Sequence, residues 1–231
     1  MNSKTTTAND VERNERWLFR VGGIASLAIG ATYIVIIALY ASAGVPPEGG
    51  EARLKYLVGK TTIWWVIVGA SVLTNFLYVP VAVSLYFALR VVNRFAMLLG
   101  AAFVGLFVIL ENAVNWTNYG SLILLSEGYA AATSESQRAI VIGAATYVAA
   151  VLESPLAAVW AIGTLSFAYL VIGIVMLKSV FGKLTAYVGI LTGLFGLAAV
   201  AGARVAIILN AVAATIWLFL VSYRLYRLAR S

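Results

Sequence analysis

The chain has 231 residues, 62% of them hydrophobic and only 11% charged, with a mean hydropathy of +0.96; soluble domains carry about a quarter charged residues, so an ordinary soluble fold is excluded in favour of an integral membrane protein. The net charge of +7 sits in short clusters at the ends of apolar runs, which marks topology and excludes a nucleic-acid surface. With no cysteine and no histidine, disulfides, thiolate nucleophiles, ordinary zinc sites and imidazole acid–base chemistry are excluded, and neither cofactor nor metal is expected.

The apolar runs do not alternate as barrel strands do, so the fold expected is an all-α polytopic transmembrane bundle. Residues 1–16 read as a polar cytoplasmic segment and 17–231 as a single six-span transmembrane domain. The first span covers 17–41. The run 21–40 followed by Ala41, Ser42 and Ala43 resembles a signal peptide, but it exceeds the usual apolar core of about 7–15 residues, which favours an uncleaved span. Pro46, Pro47, Gly49 and Gly50 break the helix, and the segment up to Lys60 reads as a short charged loop. Span two covers 61–89, Arg90 and Arg94 form a basic turn, and span three covers 95–125. A polar loop, SEGYAAATSESQR, follows.

The apolar stretch 139–177 is too long for one crossing and barely long enough for two. Ser154 and Pro155 suit the N-cap and first position of a helix, which places span four at 155–177. Spans five and six cover 184–200 and 205–223. Charge decides the parity. With one crossing and a cytoplasmic N-terminus, Lys4, Arg13, Arg16, Arg20, Arg90, Arg94, Lys178, Lys183, Arg224, Arg227 and Arg230 lie inside. Only Arg53, Lys55, Lys60, Arg138 and Arg204 lie outside, eleven against five. A second crossing would make it seven against nine. The piece 139–152 is then a short outer-side helix before span four, and both termini are cytoplasmic in the cell membrane.

At 1.5 Å per residue, Glu111 lies about 25 Å along span three from Arg94, in the outer part of the hydrocarbon core. Asn115 and Asn118 follow at i+4 and i+7 on one helical face. Arg204 and Asn210 fall in the outer turns of span six, Glu153 at the outer start of span four, and Asn75 near the middle of span two. An intramembrane carboxyl faces the bundle interior and either carries its proton or meets a cation, with Arg204 the expected partner. One reading is an outward-facing pocket with Glu111 as its binding or proton-accepting group. The other is a Glu111–Arg204 lock with asparagines bonded across helices. Glu153 also suits a helix N-terminus, and Trp17, Trp64, Trp65, Trp116, Tyr119 and Tyr226 suit an interfacial aromatic belt. Gly189, Gly193 and Gly196 line one face of span five, for packing within the chain or against a second copy or membrane partner.

The sequence LENAV around Glu111, the passage KSVFGKLTAYVGILTGLFGL and the closing LNAVAATIWLFLVSYRL resemble the six-span membrane family catalogued as domain of unknown function 4386. Val108 stands where members of that family often carry an arginine one turn before the acid. The resemblance implies a six-span fold and no established activity. The functions expected are therefore a non-enzymatic protein that binds or passes a small solute or proton, or a structural or accessory subunit. An intramembrane enzyme is disfavoured, because the spans hold no second embedded carboxylate and no Ser–Lys pair.

Overall fold

The computed structural model describes residues 8–230, with the side chains of 8–14 and of Arg204 outside that description. Helices α1 (Ala8–Ala43), α2 (Gly50–Leu57), α3 (Thr61–Leu110), α4 (Thr117–Ala131), α5 (Glu135–Glu153), α6 (Pro155–Ala158), α7 (Thr164–Met176), α8 (Lys183–Val200) and α9 (Arg204–Leu228) follow in order. Two π-helical turns interrupt them, Glu111–Trp116 between α3 and α4 and Val159–Gly163 between α6 and α7. The described residues contain no strand.

Five helical stretches are long and apolar enough to cross a bilayer. The longest, Thr61–Ala131, holds 71 residues; straight, it would run about 105 Å, against a hydrocarbon core of about 30 Å. It is not straight. Asn93 adopts φ −157° and ψ 96°, and its Oδ1 accepts from the Ala96 backbone N–H at 3.0 Å as the cap of a new helix. The arms then run antiparallel: Trp64 stacks on Tyr119 with ring centroids 5.5 Å apart, Asn75 bonds Asn112 at 3.2 Å, and Tyr78 meets Phe107 edge-on at 5.5 Å. Each pair lies at nearly equal chain distance on either side of Asn93. The turn expected at Arg90 and Arg94 is therefore one residue, not a loop.

The long helices form a closed ring in which each packs on the next in sequence. Ser84 Oγ donates to Leu18 O at 2.9 Å between the first arm of α3 and α1. The second arm meets α7 through Phe103 stacked on Phe167 at 5.4 Å. α8 packs on α7 and α9, and α9 returns to α1, where Ser26 Oγ donates to Leu218 O and Ser222 Oγ to Gly23 O, each at 2.8 Å. Helix α1 is thus an integral wall of the bundle. Side chains of Tyr78, Leu85, Met97, Phe107, Tyr169 and Trp217 fill the ring. Small residues bring the walls together: a Cβ on Gly193 would stand 2.5 Å from Leu170 Cγ and 2.7 Å from Ser166 O on α7, and one on Gly189 2.6 Å from Trp217 Nε1 on α9. The glycine face of α8 is filled within the chain. Gly193→Ala is expected to cost about 1–2 kcal/mol, because Leu170 can shift but the Ser166 carbonyl cannot, measured by unfolding in mixed micelles.

A second core joins Leu54, Leu57, Trp64, Ile67, Leu122, Ile123 and Ala145. It corrects three expectations. The segment before Lys60 is helical over Gly50–Leu57, since Leu54 and Leu57 share a face that buries against the bundle. Helix α4 continues to Ala131, and α5 begins at Glu135, capped by Ser134 Oγ accepting from Gln137 N at 3.2 Å, so the polar loop shrinks to residues 132–134. Trp64 is wholly buried rather than a belt residue, because Tyr40, Tyr56 and Tyr119 enclose it.

Candidate functional site

Glu111 opens the π-helical turn Glu111–Trp116 and is 7% exposed. Its Oε2 accepts from Asn115 Nδ2 at 2.5 Å. Asn115 Nδ2 also reaches Ala157 O on α6 at 3.3 Å, while Asn115 Oδ1 is buried without a partner. Single-turn π-helices recur at functional sites because the wider turn splays side chains and frees carbonyls; here Thr117 Oγ1 donates to Asn112 O at 2.8 Å. The second π-helical turn, Val159–Gly163, packs directly against the first, and Thr164 Oγ1 donates to Trp160 O, four residues back, at 2.8 Å. Among the described residues no cation pairs with Glu111; the expected partner, Arg204, has its side chain outside that description.

The cluster continues through Asn112, whose Nδ2 donates to Val108 O at 2.7 Å and whose Oδ1 lies 3.2 Å from the Asn75 side-chain amide. Trp116 Nε1 stands 3.2 Å from the same end of the Asn75 amide. One turn inward from Asn75 begins a chain of hydroxyls: Tyr78 lies 3.0 Å from Tyr33 Oη on α1 and 2.8 Å from Tyr169 Oη on α7. Tyr169 packs edge-on against Trp217 with centroids 4.8 Å apart. Polar atoms therefore extend from Glu111 into the ring, beyond the residues that the sequence singles out.

The structure joins Glu111 to Asn115 and, through Asn112, brings Asn75 to the same turn, whereas Asn118, Asn210 and Glu153 bond to other partners. Asn118 Nδ2 donates to Val114 O of its own helix at 2.5 Å. Asn210 Nδ2 donates to Thr192 O at 2.8 Å, tying α9 to α8. Glu153 ends α5 and does not start span four; it pairs with Arg53 Nη2 at 3.2 Å and accepts from Gly49 N at 2.8 Å. On the exposed flank of α2, Lys55 Nζ contacts Glu51 at 2.7 Å, and that hydrogen bond holds the ammonium above its ordinary pKa.

Asn112, Tyr33, Tyr78, Tyr169 and Arg53 were not legible as site residues. A tyrosine in an apolar run carries the same signal whether it faces lipid or the interior, and Asn112 falls off the face shared by Glu111 and Asn115 until the π-helical turn widens the helix. No group of histidine, cysteine, aspartate or glutamate side chains that could hold a metal ion occurs among the described residues. No protein-family model, curated protein or solved structure matches this chain.

Proposed function

We propose that the chain crosses the cell membrane six times, with both termini cytoplasmic, and binds or passes a small solute or proton at an outward-facing cluster centred on Glu111. The antiparallel arms on either side of Asn93 support counting the longest apolar stretch as two crossings. The basic residues support the orientation. Arg90 pairs with Glu15 at 2.6 Å beside the Asn93 turn, and Arg224 comes within 2.9 Å of a Cβ built on Gly182 in the loop after α7. These groups cluster at one end of the bundle, as a cytoplasmic face requires. We extend the proposal to kinship with the six-span family that the LENAV segment resembles.

The observation that carries the function is the Glu111–Asn115 pair. Both the carboxyl and the orphaned Asn115 Oδ1 are acceptors, buried side by side, and a buried acceptor is satisfied by a donor: a proton, a protonated water or a small cationic group. The asparagines and the tyrosine chain give such a donor further polar contacts toward the centre. The alternative, a purely structural cluster, predicts that the carboxylate itself is needed for folding.

Proton flux in proteoliposomes under an imposed membrane potential tests the reading. Wild type is expected to acidify the lumen, and Glu111→Gln to lose that flux while melting within about 3 °C of wild type, since the amide oxygen still accepts from Asn115. Equal flux in both proteins would overturn the reading. A Glu111→Gln protein that melts far lower would make the carboxylate a packing element instead.

A further inference from the structure

The basic end of the bundle divides into two unlike halves. On the side of α1 and α3, Arg90 pairs with Glu15 at 2.6 Å and lies over the Phe87 ring. On the side of α7, α8 and α9 the chain supplies no acid of its own, since residues 154–231 contain neither Asp nor Glu. Three cations gather there at one loop. Lys178 and Lys183 flank the short connection between α7 and α8, and both are exposed. Arg224 reaches the same connection from α9: it is half-buried, and its Nη2 stands 2.9 Å from a Cβ built on Gly182. Among the described residues no carboxylate pairs with any of the three.

Topology requires cations at this end, but it does not require them to gather without a counter-ion. Like charges at one loop repel, and an anion placed among them relieves the repulsion. The neighbouring surface indicates which anion. Helices α8 and α9 pack on each other, and beyond the loop their outer faces are apolar. Leu184, Leu191 and Leu194 on α8 and Ile216 and Tyr223 on α9 are all between 46% and 66% exposed. A soluble anion such as phosphate would use the charges and leave those faces bare. An anionic phospholipid uses both, with its phosphate at the cations and its chains along the helices. We propose that Lys178, Lys183 and Arg224 bind the headgroup of one anionic phospholipid, whose chains lie against the apolar faces of α8 and α9. This site needs only a bilayer around the apolar helices and stands whether or not Glu111 handles protons.

Native mass spectrometry of the purified full-length chain in detergent, titrated with phosphatidylglycerol or with phosphatidylcholine of the same chains, counts the lipids retained. One phosphatidylglycerol per chain is expected to bind saturably and raise Tm, and phosphatidylcholine to bind at least about tenfold more weakly. Lys183→Gln and Arg224→Gln should each weaken phosphatidylglycerol about fivefold, the worth of one basic residue near an anionic lipid surface. Arg94→Gln, at the same end but outside the site, should leave the affinity unchanged. If Arg224→Gln fails to fold, Lys183→Gln decides, because that side chain is exposed. Inorganic phosphate and a polyglutamate peptide serve as competitors and are expected to displace the lipid only in large excess. The proposal is overturned if phosphatidylcholine binds as tightly, if Arg94→Gln weakens the lipid as much as Lys183→Gln does, or if phosphate or the peptide displaces it at equal concentration.

Discussion

Gly50→Ala is expected to destabilise the protein by about 3 kcal/mol, near the upper end of what overpacking costs. A Cβ at this position would meet three backbone atoms of α5: Thr146 N at 2.5 Å, Thr146 Cα at 2.6 Å and Ala145 C at 2.7 Å. Backbone in the middle of a 19-residue helix has no rotamer to change, so α2 itself must move away. Because α2 carries Arg53, that movement also breaks the 3.2 Å contact with Glu153 and opens the second core. Unfolding by sodium dodecyl sulfate in mixed micelles, followed by circular dichroism, provides the measurement. Gly69→Ala is the control, since nothing stands within 4 Å of a Cβ there; it should be neutral or slightly stabilising. Matching curves for the two variants would mean that α2 does not dock on α5 as described.

Tyr78→Phe is expected to cost about 1–3 kcal/mol, and more than either Tyr33→Phe or Tyr169→Phe. The physical reason is position in the chain of hydroxyls. Tyr78 is 2% exposed and bonds both neighbours. Removing its oxygen leaves the Tyr33 and Tyr169 hydroxyls without each other or it, in a ring lined by Val81, Leu85 and Val104. Removing an end hydroxyl breaks one bond and leaves the other intact. The same mixed-micelle assay ranks the variants. Equal losses at all three positions would mean that the hydroxyls do not act as a connected chain. A double variant, Tyr33→Phe with Tyr169→Phe, tests the coupling, because Tyr78 then keeps its oxygen but has no partner.

The helical class, the long apolar helices and the ends of α8 were readable in the sequence because they follow from local rules. Each apolar run needs an internally hydrogen-bonded backbone, and charge marks where it stops. The break between spans five and six was legible for the same reason, and Gly202 turns the chain there at φ 98°. The break at Asn93 was legible as a basic turn but not as a single residue, since capping is a matter of geometry. Helix α2 was hidden by its own composition. The stretch GEARLKYL is polar enough to read as loop, and its helicity depends on Leu54 and Leu57 meeting a core supplied by α3, α4 and α5.

Of the polar residues, the sequence by itself determined that Glu111 is buried and that Asn115, four residues on, shares its face, because both follow from the helical period and the cost of a buried charge. Which polar groups meet was decided by tertiary structure alone. Glu153 and Arg53 are 100 residues apart, yet pair because α5 ends where α2 passes. Tyr33, Tyr78 and Tyr169 come from three helices that converge only once the ring closes. Partners that distant are fixed by which helix neighbours which and by the rotation of each about its axis. Side-chain packing summed over the whole bundle sets both, and no local stretch of sequence encodes either.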